Sequence, residues 1–575
     1  MITAMITVFT ILISGVAIAS PFLQREQYSL VDLLILGSAV GLSLLGIAGY
    51  LVLLSVGFSV LTLYIIMVCI TAFVSFIVYK KQGMVWKLDT PKIKSQYLVP
   101  VVLAFVISLF GLLLRLRSVL HSPVISTLDP WLWLYNARYL QHTGTIDYTS
   151  LKAYPAGFVF LIVSLADFGT NYDSVYSLMR FFPPIISFFT IMVVYVVSRR
   201  YFGNEYAPVI ISMAFAVGNL LQFRGRLATP ETLAIFLFIV FLSYLYIYDG
   251  KSPYLTSLLL AGIVIYHPTT ALIAFGIFFL NNIKFQQIPS IKKSIQIGMK
   301  YILPLVIFCI PAIISIALNN DIFARYGFYG NPVETTTVVD PIDSIDSSLK
   351  LMIGYSLGPV LFGLSLVGVL QFIVGIHDKK WTVTAWTVCV LWAASEFVPI
   401  IFFVYSAPRS ATFIVFPASI LMAQVVVTLI DNIRQDDSRL PKIPHKSKIL
   451  KASIITVIIS FQLVYGISYL YINSRTISSE EMQILDWIRE NQDDDKIVFT
   501  YERWIGSYAI VYPKQCIANE TLREGNLENL KSYLLSFNSD ILIIVKQHES
   551  LYQELFEEGY QHLVNISRIH VFLLN

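Results

Sequence analysis

Ser126-Thr127-Leu128-Asp129-Pro130-Trp131-Leu132-Trp133-Leu134-Tyr135-Asn136 follows a long apolar run and leads into Ala137-Arg138-Tyr139-Leu140. One acid, Asp129, stands between a hydrophobic segment and two tryptophans. An arginine follows two helical turns later. Tryptophan and tyrosine favour the membrane–water boundary. A carboxylate is costly to hold there, so an acid in that setting points to a use.

The rest of the chain supports a membrane setting. Its 575 residues are 56% hydrophobic and 13% charged, with mean hydropathy +0.71. A soluble chain carries about a quarter of its residues charged. The net charge of +4 gives no reason to expect nucleic acid. Cys69, Cys309, Cys389 and Cys516 are widely separated, with neither metal spacing nor a disulfide framework. Apolar runs predict fourteen spans, at 1–20, 32–55, 58–79, 98–114, 178–198, 206–222, 231–248, 253–267, 269–283, 301–319, 352–375, 382–405, 409–431 and 450–472. The first lacks a basic start and reads as a retained span, not a cleaved signal.

Lysine and arginine set the orientation. Lys80, Lys81, Lys87, Lys92, Lys94, Arg199, Arg200, Lys292, Lys293, Lys379, Lys380 and the run from Arg434 to Lys451 fall in alternate loops, predicted to be cytoplasmic. The loops at 115–177, 223–230, 320–350 and 406–408, and the tail from 473, then face outward. The apolar stretch 154–168 would reverse this order if it spanned, so it is expected to lie along the outer interface. The tail reads as an amphipathic helix at 478–491, strands at 496–500, 516–518 and 541–545, and helices at 527–535 and 551–558. The expected fold class is a polytopic α-helical membrane protein with a small C-terminal α/β extracytoplasmic domain. Its parts are N-terminal spans with a cytoplasmic loop (1–97), a transmembrane catalytic domain (98–472) and the outer domain (473–575). The predicted location is the plasma membrane, crossed many times.

The outward loops favour arginine: Arg115, Arg117, Arg138, Arg180, Arg224, Arg226, Arg325 and Arg409. A guanidinium grips phosphate through a planar fork, which suits a lipid phosphate or pyrophosphate. Arg115 and Arg117 equally suit snorkelling to headgroups. The outward acids are Asp129, Glu231, Glu334 and the stretch Asp340, Asp343, Asp346, the last three reading as solvated loop. A carboxylate at the membrane face deprotonates a hydroxyl or holds a divalent cation. Each acid also has a structural reading. Asp129 before Pro130 is a standard helix start, Glu231 suits a helix first turn, and Glu334 suits an ordinary loop. His267, before Pro268, reads first as a helix-end residue and second as a ligand. Glu396 lies within an apolar span.

Taken in order, these pieces resemble the GT-C superfamily of membrane glycosyltransferases, which take sugars from polyprenyl-phosphate or polyprenyl-pyrophosphate carriers. Leu128-Asp129-Pro130-Trp131 and Arg138-Tyr139-Leu140 are similar to the Asp-Pro-Trp and Arg-Tyr-Leu stretch of oligosaccharyltransferase catalytic subunits. Arg226-Leu227-Ala228-Thr229-Pro230-Glu231 occupies the place of the second acidic motif, with one acid where the family carries a pair. Glu334 falls in the long outer loop that carries a metal-binding glutamate in oligosaccharyltransferases. Pro408-Arg409-Ser410 resembles the late arginine-bearing span. The Trp-Trp-Asp-Tyr-Gly motif that reads the acceptor is absent, and Tyr501-Glu502-Arg503-Trp504 stands at its place.

The resemblance covers about 98–575 and implies an inverting glycosyltransferase at the extracytoplasmic face. Its partners would be a lipid-linked sugar donor, a protein or glycolipid acceptor and the membrane. Asp129, Glu231 and Arg409 would be catalytic. Arg138, Arg226, Glu334, His267, Trp131 and Tyr154 would bind substrate. Asp129, Glu231 and Glu334 would hold Mg2+ or Mn2+ if the reaction uses a metal; a metal-independent reaction fits the same motifs. The departures favour an enzyme of the protein mannosyltransferase or aminoarabinose transferase kind. Competing readings are an oligosaccharyltransferase-like N-glycosylation enzyme, a transporter or flippase, and a non-catalytic scaffold. Asn519-Glu520-Thr521 and Asn565-Ile566-Ser567 are sequons in the tail.

Overall fold

Runs of leucine, isoleucine, valine and phenylalanine close into helices, because in lipid every backbone group must pair within its own segment. The computed structural model describes residues 2–23, 30–82, 98–121, 125, 129–151, 154–166, 172–204, 206–247, 252–282, 291–318, 358–373, 407–436, 446–468, 479–500, 510, 514, 516–518, 540–546 and 550–574. The helices are α1 (Ile2–Leu23), α2 (Leu30–Val56), α3 (Val60–Gln82), α4 (Leu98–His121), α5 (Asp129–Thr143), α6 (Tyr148–Leu151), α7 (Gly157–Leu165), α8 (Tyr172–Phe202) and α9 (Tyr206–Val217). They continue with α10 (Asn219–Arg224), α11 (Pro230–Ile247), α12 (Pro253–Tyr266), α13 (Pro268–Asn282), α14 (Ile291–Leu318), α15 (Gly358–Ile373), α16 (Ala407–Asp436), α17 (Lys446–Ser468) and α18 (Ser479–Asn491). Among the described residues, six segments are long and apolar enough to cross a membrane: Ile2–Pro21, Leu30–Val56, Val60–Ile77, Val99–Arg117, Asp173–Phe202 and Met299–Leu318. A helix stands at every expected span except 382–405, which lies outside the described residues.

Both ends of α2 are tied to other elements. At one end, Arg200 pairs with Asp32. At the other, Phe58 N donates to Gly144 O at 2.7 Å, joining the α2–α3 turn to the end of α5. The three N-terminal helices pack into the bundle: α2 touches α7, α11, α12 and α14. At the α1–α2 crossing, a Cβ on Gly41 would overlap the carbonyl of Ile11, so the two backbones meet where only glycine fits.

The segment 154–168 holds a short helix packed inside the bundle. Its helix, α7, has nine residues and every one is buried. Nine residues rise about 14 Å, too short to span, so the expectation that it does not cross agrees with its length. It is enclosed by α1, α2, α5, α8 and α12. An all-apolar helix suits lipid or protein alike, and here protein encloses it. Its entry is held by Tyr50, whose hydroxyl accepts from Ala156 N at 2.6 Å. Tyr148 Oη and Ser315 Oγ continue the polar contact at 2.6 Å, tying α6 to α14. Tyr50→Phe should leave the buried Ala156 N–H without its acceptor and cost about 1–3 kcal/mol, read as a lower unfolding temperature in detergent.

The tail forms a five-stranded sheet of order β2-β1-β3-β5-β4. The strands are β1 (Ile497–Thr500), β2 (Cys516–Ala518), β3 (Ile541–Lys546), β4 (Gln561–Ile566) and β5 (Ile569–Leu574), with helix α19 (Ser550–Glu557) before β4. β1 runs parallel to β2 and β3; β5 is antiparallel to β3 and β4. Residues alternate by face, as strands require. Ile497, Phe499, Ile541 and Ile543 pack with Leu551 and Leu555 of α19. Val498, Leu542 and Ile544 join Ile484, Leu485 and Ile488 of α18 in the main core. The three expected strands are present, and the β4–β5 hairpin was not foreseen. The expected helix at 527–535 lies outside the described residues.

Across that hairpin, His562 Nε2 and His570 Nδ1 are 3.1 Å apart, and the Tyr552 ring lies tilted against His570, 4.4 Å between centres. Burial, with His562 beside it, holds the His570 imidazole below its ordinary range. An imidazole depressed in the fold contributes stability above its unfolded pKa of about 6.5, and that stability falls as acid is added. Unfolding curves of the full chain should shift downward between about pH 7 and pH 5, and His570→Phe should flatten that dependence.

Candidate active site

Helix α5 begins at Asp129 and Pro130, the order that opens a helix without wasting an N–H. Trp131, Trp133, Leu134, Asn136, Ala137, Arg138 and Leu140 are all buried, so most of the helix surface is enclosed. Both tryptophans are ring-anchored. Trp131 lies 5.9 Å from Tyr176 of α8. Trp133 meets Tyr154 at 5.4 Å and Phe158 of α7 at 5.7 Å. Arg138 Nη1 donates to Ile510 O at 3.1 Å, fastening α5 to the C-terminal sheet unit. These anchors fix where Asp129 starts the helix.

Tyr154 also contacts His267, 5.9 Å between ring centres. His267 caps α12, its N–H donating to Ile263 O at 2.7 Å. Its Nδ1 accepts from Thr270 N at 3.2 Å and lies 2.6 Å from Thr270 Oγ1, which places the ring proton on Nε2. The helix-end reading of His267 therefore describes its geometry. Trp133, Tyr154 and His267 make one aromatic group; Trp131 sits apart, against Tyr176.

A second group is built on the turn from α10 to α11. Arg224 Nη1 faces Glu231 Oε2 at 3.1 Å, with side chains 9% and 4% exposed. Thr232 Oγ1 donates to Arg224 O at 2.8 Å and Leu227 O at 2.9 Å, closing the turn that also carries buried Arg226. Ser187 Oγ donates to Gly225 O at 3.2 Å. A Cβ on Gly225 would overlap Arg115 Nε and Ser187 Oγ and lie 2.8 Å from Leu221 O. Arg115 thus lies directly under the turn. It does not snorkel: it is 3% exposed, and its guanidinium donates to Gly111 O at 2.9 Å, Ala216 O at 3.0 Å and Phe215 O at 3.2 Å. The last two are carbonyls at the negative end of α9, where a cation belongs.

Arg409 lies in the first turn of α16, which packs on α9 and α10. Phe416 meets Phe215 at 5.8 Å, and seven helical residues separate Phe416 from Arg409, about 10 Å. The start of α16 therefore comes close to the arginine turn. The side chains of Asp129 and Arg409, and all of Glu334, lie outside the described residues.

Of the expected metal set only the Glu231 side chain is described. Glu231 faces a guanidinium on Oε2, where Mg2+ or Mn2+ would want oxygen donors only. No cluster of three or more candidate ligands occurs among the described residues. Sequence reasoning placed Arg224 and Arg115 in the outward arginine cluster, with headgroup snorkelling as the other reading of Arg115, and did not foresee their partners. The signal for Arg224 was its position seven residues before the lone acid of the motif.

No protein-family model matches the sequence, and no curated protein matches it. Solved structures do. The oligosaccharyltransferase of Archaeoglobus fulgidus in its apo form aligns at TM-score 0.53 and 12% identity, over 79% of this chain and 70% of that one. The same organism's oligosaccharyltransferase AglB, in complex with an inhibitory peptide and a dolichol-phosphate, aligns at 0.51 and 13%, over 81% and 73%. ArnT from Cupriavidus metallidurans bound to undecaprenyl phosphate aligns at 0.52 and 10%, over 83% and 98%. At these identities the likeness speaks to fold alone: the chain shares the fold of the Archaeoglobus fulgidus oligosaccharyltransferase and of ArnT.

Proposed function

We propose that this protein is an inverting membrane glycosyltransferase. It moves a sugar from a polyprenyl-phosphate carrier to an acceptor hydroxyl at the extracytoplasmic face. The observation that carries this reading is the buried arginine turn, with Arg115 beneath it and the start of α16 close by. It sits on a fold whose solved examples hold dolichol-phosphate or undecaprenyl phosphate. Arg226 and Arg409 would hold the departing phosphate, and such preorganised charge is a large contributor to rate. Asp129 would take the acceptor proton, with attack opposite the phosphate inverting the anomeric centre. Trp133, Tyr154 and His267 would line the sugar side, and no step runs through a metal.

Fourteen spans with basic loops inside would place both the arginine turn and α5 outside, in a plasma membrane. The bond from Arg138 to Ile510 O supports the C-terminal sheet lying on that same side. Because the fold is shared with an oligosaccharyltransferase tethered to a peptide containing an NVT sequon, a sequon peptide belongs in the assay. Purified full-length protein would be given radiolabelled polyprenyl-phosphate or polyprenyl-pyrophosphate sugars. Native membrane extract or the sequon peptide would serve as acceptor. Label moving from the monophosphate donor to the extract supports the proposal. Transfer confined to the pyrophosphate donor and the peptide would replace it with N-glycosylation.

A further inference from the structure

We infer that Glu231 is a positioning residue for Arg224, not a metal ligand, and that the pair presents the turn's guanidinium groups to the carrier phosphate. The inference rests on the proposed function and deepens it.

Its first support is composition. Between Arg224 and Phe236 there is one carboxylate, Glu231, and two arginines. A hard divalent cation gathers several oxygen ligands, and two cations on the same short turn oppose it. The second support is geometry. The 3.1 Å contact joins the end of α10 to the first turn of α11, with both side chains buried. At low dielectric this charge-assisted contact holds Nη1 of Arg224 against Oε2 of Glu231. The third is the frame around the pair. Leu227 N donates to Arg224 O at 3.1 Å, and Thr229 N to Leu227 O at 2.8 Å. Thr232 Oγ1 accompanies both, donating to the carbonyls of Arg224 and Leu227. With the backbone pinned and Arg115 beneath Gly225, Glu231 sets the angle of the Arg224 head group. A lone acid in the second acidic motif then has a purpose: it orients an anion-binding arginine.

The test is a double-mutant cycle with Glu231→Gln and Arg224→Lys in the full-length enzyme in nanodiscs, with Glu231→Asp as a carboxylate-keeping control. Donor KM, kcat, inhibition by free polyprenyl phosphate and Mn2+ titration are measured for each. We expect Glu231→Gln to raise donor KM and the inhibition constant in parallel, by about tenfold to a hundredfold. We expect kcat to fall as well, since the turn's arginines hold the departing phosphate, and the Mn2+ response to match wild type. The double variant should be little worse than Arg224→Lys, because one interaction has been removed twice. Glu231→Asp should recover part of the loss and shows whether a poor Glu231→Gln protein merely misfolds. A shifted Mn2+ requirement with unchanged donor KM would overturn the inference, as would full additivity of the two variants. Wild-type protein that transfers no sugar would instead overturn the proposed function.

Discussion

Asp129→Asn should fold normally and transfer sugar about 10²- to 10⁴-fold more slowly than wild type, the usual worth of a general base. The amide keeps the size of the carboxylate and cannot take up the acceptor proton. Folding should survive because α5 is held elsewhere, by Trp131 on Tyr176, Trp133 on Tyr154 and Phe158, and Arg138 on Ile510 O. Asparagine is also as good as aspartate at the start of a helix. The check is turnover beside a thermal unfolding curve. An unchanged curve with lost turnover supports the base assignment. Turnover retained in the purified variant would remove Asp129 from the chemistry.

Gly225→Ala should damage both stability and rate, although it adds one methyl. The new carbon would enter space held by Arg115 Nε and Ser187 Oγ, 2.8 Å from the carbonyl of Leu221. Arg115 cannot step aside cheaply, because its guanidinium is committed to three carbonyls. Overpacking of this kind costs about 1–3 kcal/mol. The turn would shift and carry Arg224, Arg226 and Glu231 with it. A displacement near an ångström at a charge-aligned site costs about a hundredfold in rate. Calorimetry and donor kinetics of the one variant test both parts. A protein with wild-type melting and wild-type KM would show that the turn tolerates the methyl and that its geometry is not the determinant.

Much of the fold was legible because apolar runs and basic loops leave a direct record. The stretch around Asp129 announced α5 correctly, and Pro268 marked the break between α12 and α13. Other features left no such record. The apolar segment holding α7 is equally suited to lipid or to protein, so its burial depends on Tyr50 and its neighbours. The head group of Arg115 suits a phosphate headgroup or a helix end, and the carbonyls of Phe215 and Ala216 exist as a target only once α9 has packed. The β4–β5 hairpin turns at Ser567 and Arg568, with Ser567 at φ 60, and lacks the glycine or asparagine that usually signals such a turn. The pairing of Arg224 with Glu231 spans a folded turn, and a motif reading that looks for acids alone passes over it. In the site itself, Tyr154, His267, Arg226 and Glu231 were named from sequence, and the partners that define their geometry were not.

The central claim is that the carrier is chemically cleaved at its sugar–phosphate bond. Its most direct test uses proteoliposomes holding the purified chain and radiolabelled polyprenyl-phosphate sugar, with native acceptor extract on the side of the C-terminal sheet. The account predicts that label leaves the lipid for the acceptor and that free polyprenyl phosphate appears in equal amount. Label that crosses the bilayer still attached to its lipid, with no polyprenyl phosphate released, would contradict it and identify a transporter.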